Sequence, residues 1–325
     1  MKKKLSISFL WLIISFSGYT YYKSLTDKVL FVPGHQLRHQ MLLGRMPDDL
    51  SFAGEKVHFK EPEDYRRFYS EIRINTGQNS STRLLMRNTR IWLPQIVKIL
   101  KANNIPEDFQ YLAVAESNLS NAVSPMGAAG FWQIQAPTAT ELGLEVNSEV
   151  DERYHAIKAT KAACKYFKQA HALFGSWTSA AASYNSGMTG LLQAFKKQSV
   201  NSYYDLDLNR ETEKYIYRIL SIKDLLKNPK KYGMKVKSHR VERIRKIVVS
   251  NTIKDLTKFA ADHKTTIEAL KELNPWLLKN TLTIKEPGKT YIILLPEKEG
   301  FQSNLKKDST SRNSSGQGLS MLFPL

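Results

Sequence analysis

Residues 106–117 read PEDFQYLAVAES, and they are followed by GFWQI at residues 130–134 and ASYNSG at residues 182–187. The first stretch has the apolar periodicity of a helix. The second begins with a glycine followed by aromatic residues, which is typical of a turn, and the third has the small residues of a close-packed helix that ends at a glycine. Glu116 lies in the first stretch, and no other acidic residue occurs from position 117 to position 140. This isolated carboxyl group is the first candidate for a catalytic residue.

The segment 106–117 predicts a helix, because proline is tolerated in the first helical turn and acidic residues follow it. Glu116 falls on the apolar stripe of this helix, three and seven residues after Ala113 and Phe109. Burial disfavours a charged carboxylate, so a raised pKa would suit Glu116 to general acid catalysis near neutral pH. The alternative is a surface residue or a salt-bridge partner, which is the usual state of a lone glutamate.

Residues 121–130 are rich in small residues and turn formers, and they predict a loop that lines a cleft. A glycine such as Gly130 lets the backbone approach a ligand such as a sugar ring closely. Phe131 and Trp132 offer stacking faces, and the amide of Gln133 can donate and accept hydrogen bonds. The alternative is an ordinary buried turn with a core aromatic residue.

Residues 179–187 predict a closely packed helix, since alanines at 180, 181 and 182 precede Tyr184 and Asn185 and Gly187 can end it. A buried phenol hydroxyl needs a hydrogen-bond partner, and a carboxyl group across a cleft is a suitable one. The alternative for Tyr184 is a core residue without a functional role.

Four motifs carry a resemblance to a known family: Glu116-Ser117, the Gly130 to Gln133 stretch, the Ala182 to Asn185 stretch, and residues 211–215, ETEKY. In this order they resemble the motifs of the lytic transglycosylases over about residues 80–235. Many members have Leu-Met where this chain has Phe131-Trp132, and that pair resembles the membrane-bound D type in particular.

The resemblance implies cleavage of peptidoglycan glycan strands between N-acetylmuramic acid and N-acetylglucosamine, with an internal nucleophile in place of water. Most glycosidic cleavage uses two carboxyl groups about 5 to 10 Å apart. Here Glu116 would act first as the acid and then as the base that lets the muramyl C6 oxygen close a 1,6-anhydro ring. The residues that the resemblance assigns to substrate contact or acid orientation are Ser117, Gly130, Gln133, Tyr184, Asn185 and Glu211.

Three alternatives stay open at this stage. Distance along the chain leaves open whether Glu141, Glu145 or Glu211 folds back to supply a second carboxylate, which would favour a hydrolytic muramidase. Glu211 also fits a structural role, because an acid in the first turn stabilises a helix. A peptidoglycan-binding scaffold without catalytic activity is the alternative from another functional class.

The fold class predicted for residues 79–235 is mainly α, and the resemblance implies a lysozyme-like catalytic domain. Apolar periodicity predicts helices over residues 80–103, 151–174 and 211–226, and no hairpin pattern is expected before residue 240. Cys164, the only cysteine, is expected to be a small core residue.

Residues 236–298 follow a different pattern, with strands predicted at 244–249 and 291–295 and short helices at 252–261 and 265–273. This β-α-α-β order resembles a divergent LysM module, a unit that binds glycans containing N-acetylglucosamine. The usual opening Gly-Asp is replaced by Ser250-Asn251, and a structural cap is the alternative role. Residues 299–325 are predicted to be disordered.

Residues 1–22 place three lysines before an apolar run, which predicts a secretory signal or an uncleaved membrane anchor. A further extension, residues 23–78, follows, and its FVPGH at residues 31–35 also resembles envelope-anchored bacterial relatives. The expected location is therefore the cell envelope of a bacterium, periplasmic, secreted or membrane-anchored.

The net charge of +18 raises the question of nucleic acid, but an exported chain seldom meets any. Anionic cell wall or lipid headgroups are the favoured partners, and a basic solvated surface is the plain alternative. The seven histidines form no metal-ligand pattern, and no phosphate or dinucleotide fingerprint occurs, so neither a metal nor a cofactor is expected.

Overall fold

The computed structural model describes residues 50–58, 62–76, 80–234 and 244–297. The predicted signal or anchor at residues 1–22, the motif at 31–35 and the predicted tail at 299–325 lie outside the described residues. Within the described part of the chain, no helix is both long enough and apolar enough to cross a lipid bilayer.

Helices dominate the described residues, which confirms the mainly α prediction. Each of the three long predicted helices is present, although the one expected from residue 151 begins at Ala156, after a 3-10 turn at Glu152–Tyr154. The helices are α1 (Pro62–Thr76), α2 (Ser80–Ala102), α3 (Gln110–Ser117), α4 (Ala136–Glu141), α5 (Ala156–Phe174), α6 (Trp177–Ser186), α7 (Met188–Gln198), α8 (Arg210–Lys227), α9 (Leu256–Asp262) and α10 (Ile267–Leu273).

A short hairpin before residue 240 corrects the expectation that none would occur there. Strands β1 (Ser51–Phe52) and β2 (Glu55–Lys56) pair antiparallel around a two-residue turn. Two-residue strands are too short to show an alternating pattern, so the sequence gives little signal for them. The carboxylate of Glu55 accepts hydrogen bonds from the backbone N–H groups of Trp177 and Thr178 at 2.6 and 2.9 Å, which holds the hairpin on the start of α6.

The main core joins α1 to the helices of residues 80–234. Phe68 and Ile72 of α1 are buried in the same cluster as Ile216 and Ile219 of α8. Arg67 on α1 also forms an ion pair with Glu213 on α8, at 2.8 Å. Residues before position 79 therefore contribute to the hydrophobic core that holds α8 in place.

Small side chains let two central helices pack closely. The alanines at 180, 181 and 182 of α6 are fully buried, as are Ala159, Ala163 and Cys164 of α5. The expectation that Cys164 is a core residue is confirmed. Close packing at these positions fixes α6, and with it Tyr184, relative to the rest of the domain.

The C-terminal module has the predicted β-α-α-β order. Strands β3 (Ile244–Val249) and β4 (Tyr291–Pro296) pair antiparallel, with Val249 opposite Tyr291, and α9 and α10 lie between them in sequence. A second hydrophobic cluster holds the module together, and it includes Leu256, Trp276 and Ile293. Val150, from the helical domain, belongs to this second cluster.

Candidate active site

Glu116 lies in the last turn of α3, on the predicted apolar stripe. Phe109, Leu112 and Ala113 of that stripe are fully buried, so the helix phase read from the sequence is confirmed. The first part of the predicted helix is a 3-10 turn, Glu107–Phe109, and α3 itself begins at Gln110. Directly after α3 the backbone turns sharply, since Asn118 has a φ of 51°.

The carboxyl group of Glu116 accepts a hydrogen bond from the Tyr215 hydroxyl. Tyr215 lies on α8 and is 1% exposed, so α8 brings a buried phenol to the end of α3. The sequence suggested Tyr184 as the phenol that faces a carboxyl group. In the structure the Tyr184 hydroxyl donates to the Trp132 carbonyl at 2.7 Å. Burial raises the pKa of Tyr184 well above its usual value, and the nearby charge of Glu116 raises it further.

Burial raises the pKa of Glu116 to about 7, because desolvation penalises its charged form. The hydrogen bond from Tyr215 and the positive charge of Arg218 act in the opposite direction, and the charge of Glu211 raises the pKa further. At neutral pH both the acid and the carboxylate form of Glu116 are therefore populated, as a group that alternates between acid and base requires.

Arg218 lies three residues after Tyr215 on α8 and connects two acidic residues. Its Nε is 3.3 Å from the buried carboxylate of Glu71 on α1, and its Nη1 donates to the exposed carboxylate of Glu211 at 3.1 Å. The negative charge of Glu211 is near enough to raise the pKa of Glu116, and the Glu211 carboxylate is at the same time paired with Arg218. The backbone N–H of Glu211 is capped by the Asn209 side chain, which agrees with a place in the first turn of α8.

Ser117 joins α3 to the loop that carries the second motif. Its hydroxyl donates to the Phe131 carbonyl at 2.8 Å, and it also lies 3.3 Å from the Ala113 carbonyl. The Tyr184 hydroxyl is bonded to the next carbonyl in this loop, that of Trp132. Two polar side chains next to Glu116 therefore fix the backbone of this loop.

Gly130 is required by a close backbone contact inside the protein. Its φ is 78°, and a Cβ atom at this position would lie 1.9 Å from the carbonyl oxygen of Arg153. The sequence suggested that the small residue makes space for a ligand. In the structure the backbone of Arg153 occupies that space.

Gln133 uses its side-chain amide to close the same loop. The amide nitrogen donates to the carbonyls of Ala122 and Gly130 at 3.0 and 2.9 Å, and the residue has a φ of 45°. Asn185 is exposed at the end of α6, where its Oδ1 lies 3.0 Å from the Thr212 hydroxyl of α8. The fourth motif is thereby attached to the third.

The structure brings Glu116, Ser117, Tyr184 and the 130–133 loop together, and it adds Tyr215 and Arg218, which sequence reasoning had not selected. The sequence offered one signal for Tyr215, since it is the last residue of the fourth motif. It lies on the buried stripe of α8 with Ile219.

Glu141 and Glu145, two of the acids considered as second carboxylates, lie elsewhere. Glu141 is exposed at the end of α4, and Glu145 accepts a hydrogen bond from Tyr291 of the C-terminal module at 2.6 Å. The described residues hold no group of three His, Cys, Asp or Glu side chains arranged to bind a metal ion.

Comparison with known proteins matches two parts of the chain to known domain families. Residues 95–206 match the transglycosylase SLT domain, and residues 245–299 match the soluble lytic transglycosylase C-terminal LysM-like domain. The chain carries both domains. This confirms the resemblance drawn from the four motifs, and with it the prediction of a lysozyme-like helical domain followed by a LysM-like module.

Two curated relatives have the same printed description, membrane-bound lytic murein transglycosylase D, from Escherichia coli strain K12 and strain O6:H1. Each is 28% identical over 209 residues, which is 62% of this chain and 46% of the relative. The chain therefore spans about half the length of the curated relatives that it matches.

The contact at Gly130 predicts a large loss of stability on substitution. Gly130→Ala should lower the free energy of unfolding by at least about 3 kcal/mol, because both the positive φ and the contact with the Arg153 carbonyl oppose a Cβ atom. Gly127→Ala is the matched control, since Gly127 has a φ of 80° with open space around it and should cost about 1–2 kcal/mol. Urea unfolding measures both, and equal losses would contradict the assigned contact.

Proposed function

We propose that this chain is a peptidoglycan lytic transglycosylase that cleaves the β-1,4 bond between N-acetylmuramic acid and N-acetylglucosamine and leaves 1,6-anhydro ends. The SLT domain match supports the reaction class. The observation that carries the proposal is the carboxyl group of Glu116, which has a pKa of about 7 and a hydrogen bond from a buried phenol. Such a group can give and take a proton at neutral pH.

In the first step, protonated Glu116 gives its proton to the O4 atom of N-acetylglucosamine while the bond from that oxygen to muramyl C1 breaks. Positive charge develops at C1 as in other glycosidic cleavages. In the second step the Glu116 carboxylate removes the proton from the muramyl C6 hydroxyl, and that oxygen bonds to C1. The proton count balances, and no water is consumed.

Tyr215 and Arg218 support the first step, because both stabilise the carboxylate that Glu116 becomes as its proton leaves. Glu211 opposes them through its negative charge, and its ion pair with Arg218 limits that effect. We infer that Glu211 does not serve as a second catalytic carboxylate, since its carboxylate is paired with Arg218. Glu116 then acts alone.

The remaining motif residues divide into two proposed roles. Asn185 and Glu211 are exposed beside the site and offer polar contacts to the sugar hydroxyl or acetamido groups. Gln133 can accept a hydrogen bond through its amide oxygen, and Tyr184 helps to orient the acid. Ser117 and Gly130 act on the substrate through the shape of the 130–133 loop.

The proposed location is the bacterial cell envelope. The relatives are described as membrane-bound, and residues 1–22 would supply either a signal or an anchor. The LysM-like module is proposed to contact the same glycan strands, and the net charge of +18 favours anionic wall polymers or lipid headgroups over nucleic acid.

The replacement Glu116→Gln tests the proposal directly. It keeps the shape of the side chain and removes the proton donor, so cleavage of purified peptidoglycan should fall at least about 1,000-fold while binding to sacculi is retained. The same change at Glu141, an exposed acid on α4, is the control and should leave activity unchanged.

Mass spectrometry of the soluble products separates the candidate functions. Anhydro ends, lighter than reducing ends by one water molecule, are expected from the wild type. Reducing muramic ends would indicate a muramidase, and unchanged activity in Glu116→Gln would indicate that another group performs the chemistry.

The pKa of Glu116 also predicts a pH dependence. Because the first step needs the protonated acid, kcat/KM should fall as the pH rises through about 7. Tyr215→Phe removes a hydrogen bond that favours the carboxylate, so the pKa of Glu116 should rise and this decline should move to higher pH.

Tyr166→Phe is the matched control, because the Tyr166 hydroxyl donates to the Ser183 carbonyl and not to Glu116. Profiles of kcat/KM against pH for the three proteins provide the measurement. A decline at the same pH in Tyr215→Phe and wild type would contradict the assigned hydrogen bond.

A further inference from the structure

The LysM-like module is attached to the helical domain by backbone hydrogen bonds. The N–H of Asp151 donates to the Trp276 carbonyl at 2.9 Å, and the N–H of Leu278 donates to the Glu149 carbonyl at 2.8 Å. Between them, Val150 and Leu277 form an antiparallel bridge. The segment around Val150 thus pairs with the module as a short strand would.

Side chains extend this contact on the module side. The Glu149 carboxylate accepts hydrogen bonds from the Thr281 hydroxyl at 2.7 Å and from the Thr283 N–H at 2.9 Å. The rings of His155 and Trp276 stack with their centroids 5.6 Å apart. A contact with paired backbone, a bonded carboxylate and a ring stack holds one relative arrangement of the two domains.

The segment 149–153 also holds the loop of residues 127–134, which contains the second motif, through Arg153. The Asp151 carboxylate accepts from Arg153 Nε at 3.0 Å and Nη2 at 2.7 Å, and both side chains are largely buried. Arg153 Nη1 donates to the Gly127 carbonyl at 2.8 Å and to the Ile134 carbonyl at 3.2 Å. One guanidinium therefore ties both ends of the 127–134 loop to the carboxylate beside the module.

This loop needs an external constraint. Gln133 has a φ of 45°, a backbone state that costs free energy in a residue other than glycine and persists only where the surroundings impose it. The Arg153 carbonyl packs directly on Gly130, and the loop in turn is bonded to Ser117 beside Glu116. A shift of the 149–153 segment would move the loop.

We propose that the LysM-like module is a positioning element of the active site, which acts through the Asp151–Arg153 pair on the 127–134 loop. This inference rests on the proposed function, since the loop matters for catalysis only if Glu116 is the acid. The module then contributes to turnover of substrates too short to reach it. A module that serves only to bind the wall contributes nothing to that turnover.

Glu149→Ala loosens the contact from the module side, away from the loop. On a soluble glycan of two disaccharide units its kcat should fall about tenfold, with KM and pelleting with sacculi changed less than about twofold, because misplaced catalytic groups affect the chemical step most. Arg153→Lys, which keeps the charge but not the fork of donors, should lower kcat similarly. The double variant should lose less than the product of the two single losses, since both act through one connection.

Glu286→Ala is the matched control, because Glu286 is a module carboxylate with 77% side-chain exposure. It should retain the kcat of the wild type. If Glu149→Ala keeps full kcat on the short glycan and loses only sacculus binding, the proposal is overturned. If Arg153→Lys fails to fold, the Glu149→Ala result decides.

Hydrogen exchange gives a readout that does not depend on activity. The amides of Ala128, Gly130, Gln133 and Ile134 should exchange faster in Glu149→Ala than in Glu286→Ala or wild type, with the melting temperature nearly unchanged. Unchanged exchange in the loop would overturn the proposed coupling. A wild-type protein that leaves peptidoglycan intact while the loop exchange still responds would refute the proposed function alone.

Discussion

The hydrogen bond from the Tyr215 hydroxyl to the Glu116 carboxyl group joins two residues that are 99 positions apart in sequence, one on α8 and one on α3. It exists because α8 packs between α1 and α3 and carries Tyr215 into the core. Burial makes the Glu116 carboxylate costly, and this hydrogen bond together with Arg218 makes it attainable. The balance of these opposing effects keeps the pKa of Glu116 near neutrality, which the proposed acid and base steps both need.

The loop opposite Glu116 depends on a second constraint, the contact between the Arg153 backbone and Gly130. Motif residues that resemble ligand contacts in the sequence, such as Ser117 and Gln133, use their side chains to build this loop. Much of what the motifs encode is therefore the shape of the site. The proposed chemistry is assigned to Glu116.

Local patterns predicted the local features well. The stripe of Phe109 and Ala113 placed Glu116 inward, and the alanines at 180–182 marked a close-packed helix. The strand-like runs at residues 244–249 and 291–295 correspond to the two strands of the C-terminal module. The contact between Tyr215 and Glu116 and the role of Arg153 could not be predicted from the sequence, because each depends on contacts between segments that are distant along the chain. The two-residue strands at Ser51–Phe52 and Glu55–Lys56 carry no periodic signal.

The central claim is that one carboxyl group suffices because the substrate provides the nucleophile. Digestion of purified peptidoglycan in water enriched in oxygen-18, followed by mass spectrometry of the newly formed muramic ends, tests it most directly. The account predicts that these ends contain no oxygen-18, since the C6 oxygen of the same sugar closes on C1. Oxygen-18 in the new ends in proportion to the enrichment of the water would contradict it.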